Sequence, residues 1–309
     1  MADLAVVVVT WNVRALALEA LRTLFADLEA HGPSAEVYVV DCASGDGTAE
    51  AIATTFPQVR LTASEENLGF ARANNLALRQ MGFAGQGGSA LPQAVYLLNP
   101  DTLTRPGATR ALFAALLAHS EIGLVGARLS YGDGTFQHSA FRFPGLRQLW
   151  IELFPAPACL YDSAFNGRYP RRLYDAGKPF SVDFVLGATM MLRREVVEQT
   201  GGFDEQFFMY CEEIDWAWRI QRAGWCVKCV PAAEVVHLAG RSAGQVQARS
   251  VLNLWTSRLR LYDKHYPAWK AALARRMVAA GMASRARKSR DPLLAEAYRA
   301  VEKLARERS

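Results

Sequence analysis

The stretch Leu4–Asn12, LAVVVVTWN, sets six apolar residues in a row and then turns polar. A strand with one wet face alternates apolar and polar side chains, whereas a strand buried on both faces reads as an unbroken apolar run. Leu4–Thr10 therefore reads as a central strand of a parallel sheet, with Thr10–Asn12 at its carboxyl end. Working outward, the same pattern recurs. EVYVVDCASGDGT (36–48), QVRLTASEEN (58–67), AVYLLNPDT (94–102) and IGLVGARLS (122–130) are further strands, several with polar exits. Between them, Leu18, Leu21, Phe25 and Leu28 recur at helical spacing, and TAEAIATTF and GFARANNLALRQM read as helices. Pro106 suits the first turn of another helix.

Strand–helix alternation to about residue 128 predicts a doubly wound, mostly parallel α/β sheet with helices on both faces. Ligands of such sheets sit beyond the carboxyl ends of the strands. The polar clusters Thr10–Asn12, Asp41–Gly47, Glu65–Asn67 and Asn99–Asp101 all fall at such ends. Residues 129–180 read as loops over the sheet, and GFAGQGGSALPQ (82–93) as a mobile Gly-rich loop. VDFVLGATMMLRREVVEQTGGF (182–203) reads as a strand and a helix stopped by Gly201–Gly202. EEIDWAWRIQRAGW (212–225) reads as a helix ending near Gly224, and CVKCVPAAEVVH (226–237) as a strand ending in His237. Beyond Leu252 the chain reads as helical, with Leu294, Tyr298, Val301 and Ala305 on one apolar face.

The chain has 309 residues, half of them apolar, enough for a large core. No apolar run approaches the about 18 residues that span a bilayer; the longest, Leu4–Val9 and Val185–Leu192, are strand-sized. No basic region followed by an apolar stretch marks a signal peptide. Five scattered cysteines fit a reducing cytosol. Cys226 and Cys229 lie three apart on a strand and so face opposite ways, which reads as packing rather than a shared metal. Charge is uneven. From Arg258 to Ser309 there are 14 Lys/Arg and 5 Asp/Glu, a net of +9 in a chain of net +5, which leaves the body at −4. A basic tail on an acidic body points to an anionic contact, a membrane surface before nucleic acid, because the tail lacks interleaved aromatics for base stacking. A helical tail packed on the body, or on a second copy of the chain, is the plainer reading.

Two clusters suit transfer chemistry. Asp101 closes YLLNPD, where a hard oxygen ligand can hold a divalent cation against a diphosphate; a turn aspartate before a helix is the plainer reading. FMYCEEIDWAW (208–218) sets Glu212, Glu213 and Asp215 in an aromatic frame that would raise a carboxylate pKa toward that of a useful base. An acidic first turn facing the helix dipole is the plainer reading there. On a helix Glu212, Asp215, Trp216 and Arg219 share a side, Arg219 is spaced to hold Asp215, and Glu213 stands about 100° away. No P-loop or G-x-G-x-x-G follows the first strand.

The order of VVVTWN, VVDCASGDGT, ENLGFARANN, LLNPD, LGATMMLRR, GGFDEQFFMYCEEIDWAWR and VVHLAGRS resembles glycosyltransferase family 2, inverting enzymes of GT-A fold, and most of all its bacterial rhamnosyltransferase branch, over residues 4–265. The resemblance implies a nucleotide-sugar pocket formed by Thr10, Asn12, Asp41, Ser44, Asn67, Gly69, Asn75, Asn99 and Asp101, with Asp41 reading the base. It implies a divalent cation (Mg or Mn) on Asp101, with His237 near metal and diphosphate. It implies catalysis in the Glu212–Asp215 motif, where the family's usual Asp is Glu213, and Asn99 stands for the first acid of the D-x-D motif. The implied domains are 1–265 (1–128 for the nucleotide sugar, 129–265 for acceptor and catalysis) and a basic helical extension, 266–309. The implied donor is a dTDP-sugar, L-rhamnose first, and the acceptor a glycan or lipid-linked sugar of cell-surface polysaccharide, met in the cytoplasm or on the inner membrane face. Gln137, Arg142 and Arg147 stand where an acceptor loop would. A non-catalytic sugar-nucleotide-binding protein of the same fold is the rival reading.

Overall fold

The computed structural model describes residues 2–83, 91–238 and 247–307. The Gly-rich loop and the end of VVHLAGRS fall largely outside those residues. β1 (Leu4–Thr10), β2 (Ala35–Cys42), β3 (Arg60–Ser64) and β4 (Ala94–Leu98) lie parallel in the order β3-β2-β1-β4. β5 (Thr102–Thr104) follows Asp101, and β6 (Ile122–Ser130) precedes two short pieces, β7 (Phe136–Gln137) and β8 (Ala140–Phe141). β9 (Phe180–Ser181) and β10 (Phe184–Val185) lead to β11 (Thr189–Arg193) and β12 (Cys226–His237). β11 inserts antiparallel between β4 and β6, β12 runs parallel to β6, and β5 pairs antiparallel with the far end of β12.

The unbroken apolar run is explained by two cores. Leu4, Val6 and Val8 face one, with Leu21 and Leu24 of α1 (Arg14–His31) and Leu112 and Leu116 of α4 (Ala108–Leu117). Ala5 and Val7 face the other, with Ala71 and Ala77 of α3 (Gly69–Met81). α2 (Thr48–Thr55) follows β2. Cys229 is buried in the second core, while Cys226 is partly exposed.

The structure differs from the sequence reading in three places. The apolar run 185–192 is broken at Leu186–Ala188, where a turn separates β10 from β11. Residues 129–180 are not only loops, for they hold α5 (Leu146–Leu153), α6 (Ala158–Tyr161) and α7 (Arg171–Asp175). After α8 (Arg194–Thr200), stopped at Gly201, and α9 (Glu212–Arg222), the chain builds a bundle of α10 (Gln247–His265), α11 (Ala268–Lys288) and α12 (Pro292–Arg306). Leu149 and Leu153 of α5, Trp255 and Leu259 of α10, Val278 and Met282 of α11, and Val301 and Ala305 of α12 share a third core. The boundary expected at 265/266 thus falls inside a packed unit, because the apolar faces of the last helices need α5 and α10 to bury them.

Candidate active site

The strand exits are tied together before any ligand is considered. Thr10 Oγ1 donates to Asp41 Oδ1 at 2.7 Å, and Ser44 donates to the same carboxylate through its N–H (3.0 Å) and Oγ (2.7 Å). Asn12 N–H donates to Ser44 Oγ at 2.8 Å, and Asn12 Oδ1 accepts from Gly45 N–H at 2.8 Å. Asn12 (φ 51°) and Ala43 (φ 57°) hold left-handed backbone there, a strain tolerated where structure over-determines it.

A cavity of about 330 Å³ opens beside this network, within the range of small-molecule sites. Thr10 and Trp11 line it from β1, Asn67 and Gly69 from the entry to α3, and Asn99 and Asp101 from the exit of β4. Gly187 of the turn before β11, Phe208–Tyr210, Glu212, Glu213 and His237 complete most of the wall. Asp41 lies behind Thr10, 2 % exposed, and with Asn12 and Ser44 supports the wall rather than forming it.

Asn67 Oδ1 accepts from Gly69 N–H at 3.0 Å and starts α3. Gly69 has φ +72°, and a Cβ on it would stand 2.6 Å from the Phe208 carbonyl oxygen; only glycine lets these two segments meet. Asn75, expected in the pocket floor, is instead turned away from the cavity. Its amide brackets Phe203, giving a hydrogen bond to the carbonyl (2.8 Å) and taking one from the N–H (2.9 Å), so it pins the loop before α9.

Asp101 and His237 are brought together by the pairing of β5 with β12, with Nε2 3.4 Å from Oδ1. Gln137 stands behind the ring, its Nε2 3.2 Å from His237 Nδ1, and its own Oε1 is buried without a hydrogen-bond partner among the described residues. With the amide turned over, Gln137 Oε1 accepts from His237 Nδ1–H, and His237 keeps its own Nε2 lone pair on the cavity side. A carboxylate and an imidazole at the cavity wall fit a divalent cation. No set of three His, Cys, Asp or Glu ligands occurs among the described residues, so the rest of its coordination would come from phosphate and water. Gln137, placed by the sequence on the acceptor side, thus backs His237; Arg142 and Arg147 cover the rings of Tyr169 and Phe165 and do not line the cavity.

The three acids divide differently from the helical-wheel expectation. Glu212 and Glu213 both reach the cavity from the first turn of α9, because Cβ atoms tilt toward a helix N-terminus and carry first-turn side chains past its end. Tyr210 (φ 68°) and Cys211 (φ 65°) aim that turn at the cavity. Each glutamate keeps one buried carboxylate oxygen without a hydrogen-bond partner among the described residues. Burial, with the charge of Glu213 beside it, pushes the Glu212 carboxyl well above the usual range. Burial likewise pushes Glu213 up to about 7, against the pull of the Glu213 and Ile214 amides and the Arg258 charge. Of the frame residues, Trp216 packs against Phe203 in the core and Trp218 stacks on Phe143 and His265. The apolar walls that dry the two glutamates are Trp11, Phe70, Phe208 and Tyr210 instead.

Asp215, expected among the reacting acids, does not line the cavity and is fully buried. Arg219 Nε (2.9 Å), Lys264 Nζ (2.7 Å) and His265 Nε2 (2.7 Å) surround it. Burial raises its pKa, but hydrogen bonds from His265 and Lys264 and the Arg219 charge outweigh that and hold it at about 2. Arg219 also donates to the carbonyls of Thr200 (2.6 Å) and Gly202 (2.7 Å), so Asp215 locks α9, α10 and the loop after α8 together.

The sequence reading missed Arg249, Ser250 and Asn253, which line the cavity from the first turns of α10. Nothing in their local sequence marks them, because only the packing of α10 on the body brings its first turns to the cavity.

Residues 2–256 match the family model described as "Glycosyltransferase like family 2". The chain is 32 % identical over 240 residues to the N-acetylglucosaminyl-diphospho-decaprenol L-rhamnosyltransferase of Mycobacterium tuberculosis, covering 77 % of this chain and 78 % of that protein. Among solved structures it is similar to the mannosyltransferase PcManGT from Pyrobaculum calidifontis in complex with GDP-Man and Mn2+ (TM-score 0.54, 20 % identity, 98 % of this chain and 84 % of that one). It is also similar to GalNAc-T7 with UDP, GalNAc and Mn2+ (TM-score 0.60, 15 % identity, 99 % and 56 %).

Proposed function

The chain belongs to glycosyltransferase family 2 and has the GT-A fold, and from that premise we propose that it transfers L-rhamnose from dTDP-L-rhamnose to a hydroxyl of a lipid-linked glycan, with inversion, in cell-surface polysaccharide synthesis. The single observation that carries this reading is one cavity with Asp101 and His237 on one wall and Glu212 and Glu213 on another. Sugar and acceptor identity follow the relative's rhamnosyl-transferring activity toward a diphospho-decaprenol acceptor.

Glu213 takes the acceptor proton on its unpartnered oxygen as the acceptor oxygen bonds to the anomeric carbon. The bond from that carbon to the diphosphate oxygen breaks, and the electron pair leaves with dTDP. A divalent cation held by Asp101 and His237 would neutralise the charge growing on that leaving group. Glu212, its carboxyl pushed up by burial and by the Glu213 charge, keeps a proton and donates a hydrogen bond to the bound sugars. Asp41, through Thr10 and Ser44, fixes the strand exits against which the base and ribose rest. Asn12, Asn67 and Asn99 offer amides around the same rim. The work belongs to the cytoplasmic side of a membrane, with the chain as a peripheral protein; among the described residues no helix is long and apolar enough to cross one.

The test is incubation with dTDP-L-rhamnose, Mn2+ and a short-chain GlcNAc-diphospho-lipid, with the product read by proton NMR. The reading requires transfer with inverted anomeric configuration and none from UDP- or GDP-sugars. Retained configuration, or donor binding without transfer or hydrolysis, would contradict it, the second result favouring the non-catalytic sugar-nucleotide-binding protein.

A further inference from the structure

Seven tryptophans occur in the chain, and two of them are exposed: Trp150 (41 %) on α5 and Trp269 (67 %) at the start of α11. Neither belongs to the cavity or to a core. Both come with cations. Arg147 stands one turn before Trp150 on α5, exposed, with its guanidinium 5.6 Å from the ring of Phe165, itself 39 % exposed. Lys270 follows Trp269, with its Nζ 3.7 Å from the ring of Tyr266. Tyr266, whose ring lies against Lys270, donates its hydroxyl to the carbonyl of Pro144 just before α5, and the Arg147 charge, after burial, helps lower the Lys270 pKa. The two helix starts therefore form one surface, continued along α11 by Leu273 (41 % exposed), one turn from Trp269.

The charge of α11 is one-sided. α11 carries Lys270, Arg275, Arg276, Arg285, Arg287 and Lys288 and no acid over its 21 residues. Arg275 is paired with Asp263, whereas Arg276, Arg287 and Lys288 point to solvent. Two cations set side by side over aromatic rings with no acid on α11 repel each other, and an anion relieves that repulsion. Exposed indole rings with flanking cations suit the headgroup level of a bilayer, where the ring's apolar body and polar N–H are both satisfied. A nucleic acid is the poorer fit, since Leu273 offers a phosphate nothing.

We propose that the face formed by Arg147, Trp150, Phe165, Trp269, Lys270 and Leu273 docks on an anionic bilayer, inserting its two indoles at the headgroup level. The proposal rests on the reading of the chain as a peripheral enzyme with a lipid-linked acceptor and names the surface that does it. α5 and α11 meet in the third core, where Gly281 leaves no room for a Cβ beside Leu153, so the two halves of the face are held as one body. Binding strength should then follow both apolar area and anionic lipid content.

The experiment is co-sedimentation of the full chain with vesicles of phosphatidylcholine alone or with 30 % phosphatidylglycerol (about the anionic fraction that makes such a surface potential felt), with tryptophan emission recorded. The expected result is binding to the anionic vesicles only, a blue-shifted emission, and loss with rising salt. Arg147→Glu/Lys270→Glu and Trp269→Ala/Leu273→Ala should each weaken partition about tenfold or more, while Arg110→Glu, on the exposed side of α4, should not. Thermal melts check that these surface variants fold. Equal binding to neutral vesicles, no binding, or equal losses from Arg110→Glu would overturn the proposal. So would a dimer in sedimentation velocity that Trp269→Ala/Leu273→Ala dissociates, which would assign the face to a second copy. Transfer to a short-chain, water-soluble acceptor should stay at the wild-type rate in every one of these variants, so that a failure of docking is told apart from a failure of the transfer reading.

Discussion

Glu213 and Asp215 sit two residues apart on one helix and have opposite surroundings. Glu213 opens into the cavity with an unpartnered carboxylate oxygen and a raised pKa. Asp215 is closed inside three cationic or imidazole partners with its pKa held low. Asp215 is fully buried and Glu213 partly so, each with a carboxylate oxygen out of water; what separates them is whether partners were supplied. A buried acid with partners is a structural lock, and a buried acid without them is ready to take a proton.

The largest expected effect is at Glu213. Glu213→Gln should lower turnover by about 100-fold or more while calorimetry finds donor affinity unchanged. Its folded pKa lies above the unfolded value, so the fold loses stability as pH rises from about 4.5 through 7. Glu213→Gln should therefore melt at a higher temperature than wild type at pH 8. Asp215→Asn should do the reverse: urea unfolding should show a loss of about 3 kcal/mol, because Arg219 is left without its carboxylate and Lys264 keeps only Asp204, with turnover at permissive temperature within a few-fold of wild type. A loss of turnover with stability intact would erase the distinction between the two acids. The depressed pKa of Asp215 stabilises the fold above about pH 4, and that contribution should fade as pH falls toward 2.

A smaller effect is expected at Gly69. Gly69→Ala meets both the positive φ and the Phe208 carbonyl, and should cost about 2 kcal/mol. It should raise KM for the donor more than it lowers kcat, since it separates α3 from the cavity wall. Smallest of the set, Gln137→Ala should weaken Mn2+ binding by about tenfold, read by titration of the metal's paramagnetic signal with the donor diphosphate present. Unchanged affinity would mean that Gln137 only fills space behind His237.

Much of the cavity's strand side was legible in the sequence because strands with polar exits state their own ends. LAVVVVTWN and YLLNPD are local patterns, and the sheet must bring their carboxyl ends to one edge. The Arg219–Asp215 pair was legible too, since helical spacing is fixed. Long-range partners were not. Nothing near Asp215 announces Lys264 and His265, some 50 residues on. The split of the three acids was misread because a helical wheel treats every residue as mid-helix, whereas Glu212 and Glu213 stand at an N-terminus. Asn75 and Gln137 were placed on the ligand, but each serves a neighbour: the Phe203 loop and His237. The extension from 266 was drawn as separate because its charge is, yet its buried residues complete a core begun by α5.

The central claim, that Glu213 is the base, is tested most directly by the pH dependence of kcat/KM for the acceptor in wild type and Glu213→Gln. A base held at about 7 gives a wild-type rate that climbs about tenfold per pH unit below that value and levels above it, and a Glu213→Gln rate that is low and flat across the same range. A wild-type profile already level from pH 5.5 to 8, or an acid limb that survives in Glu213→Gln, would contradict the assignment.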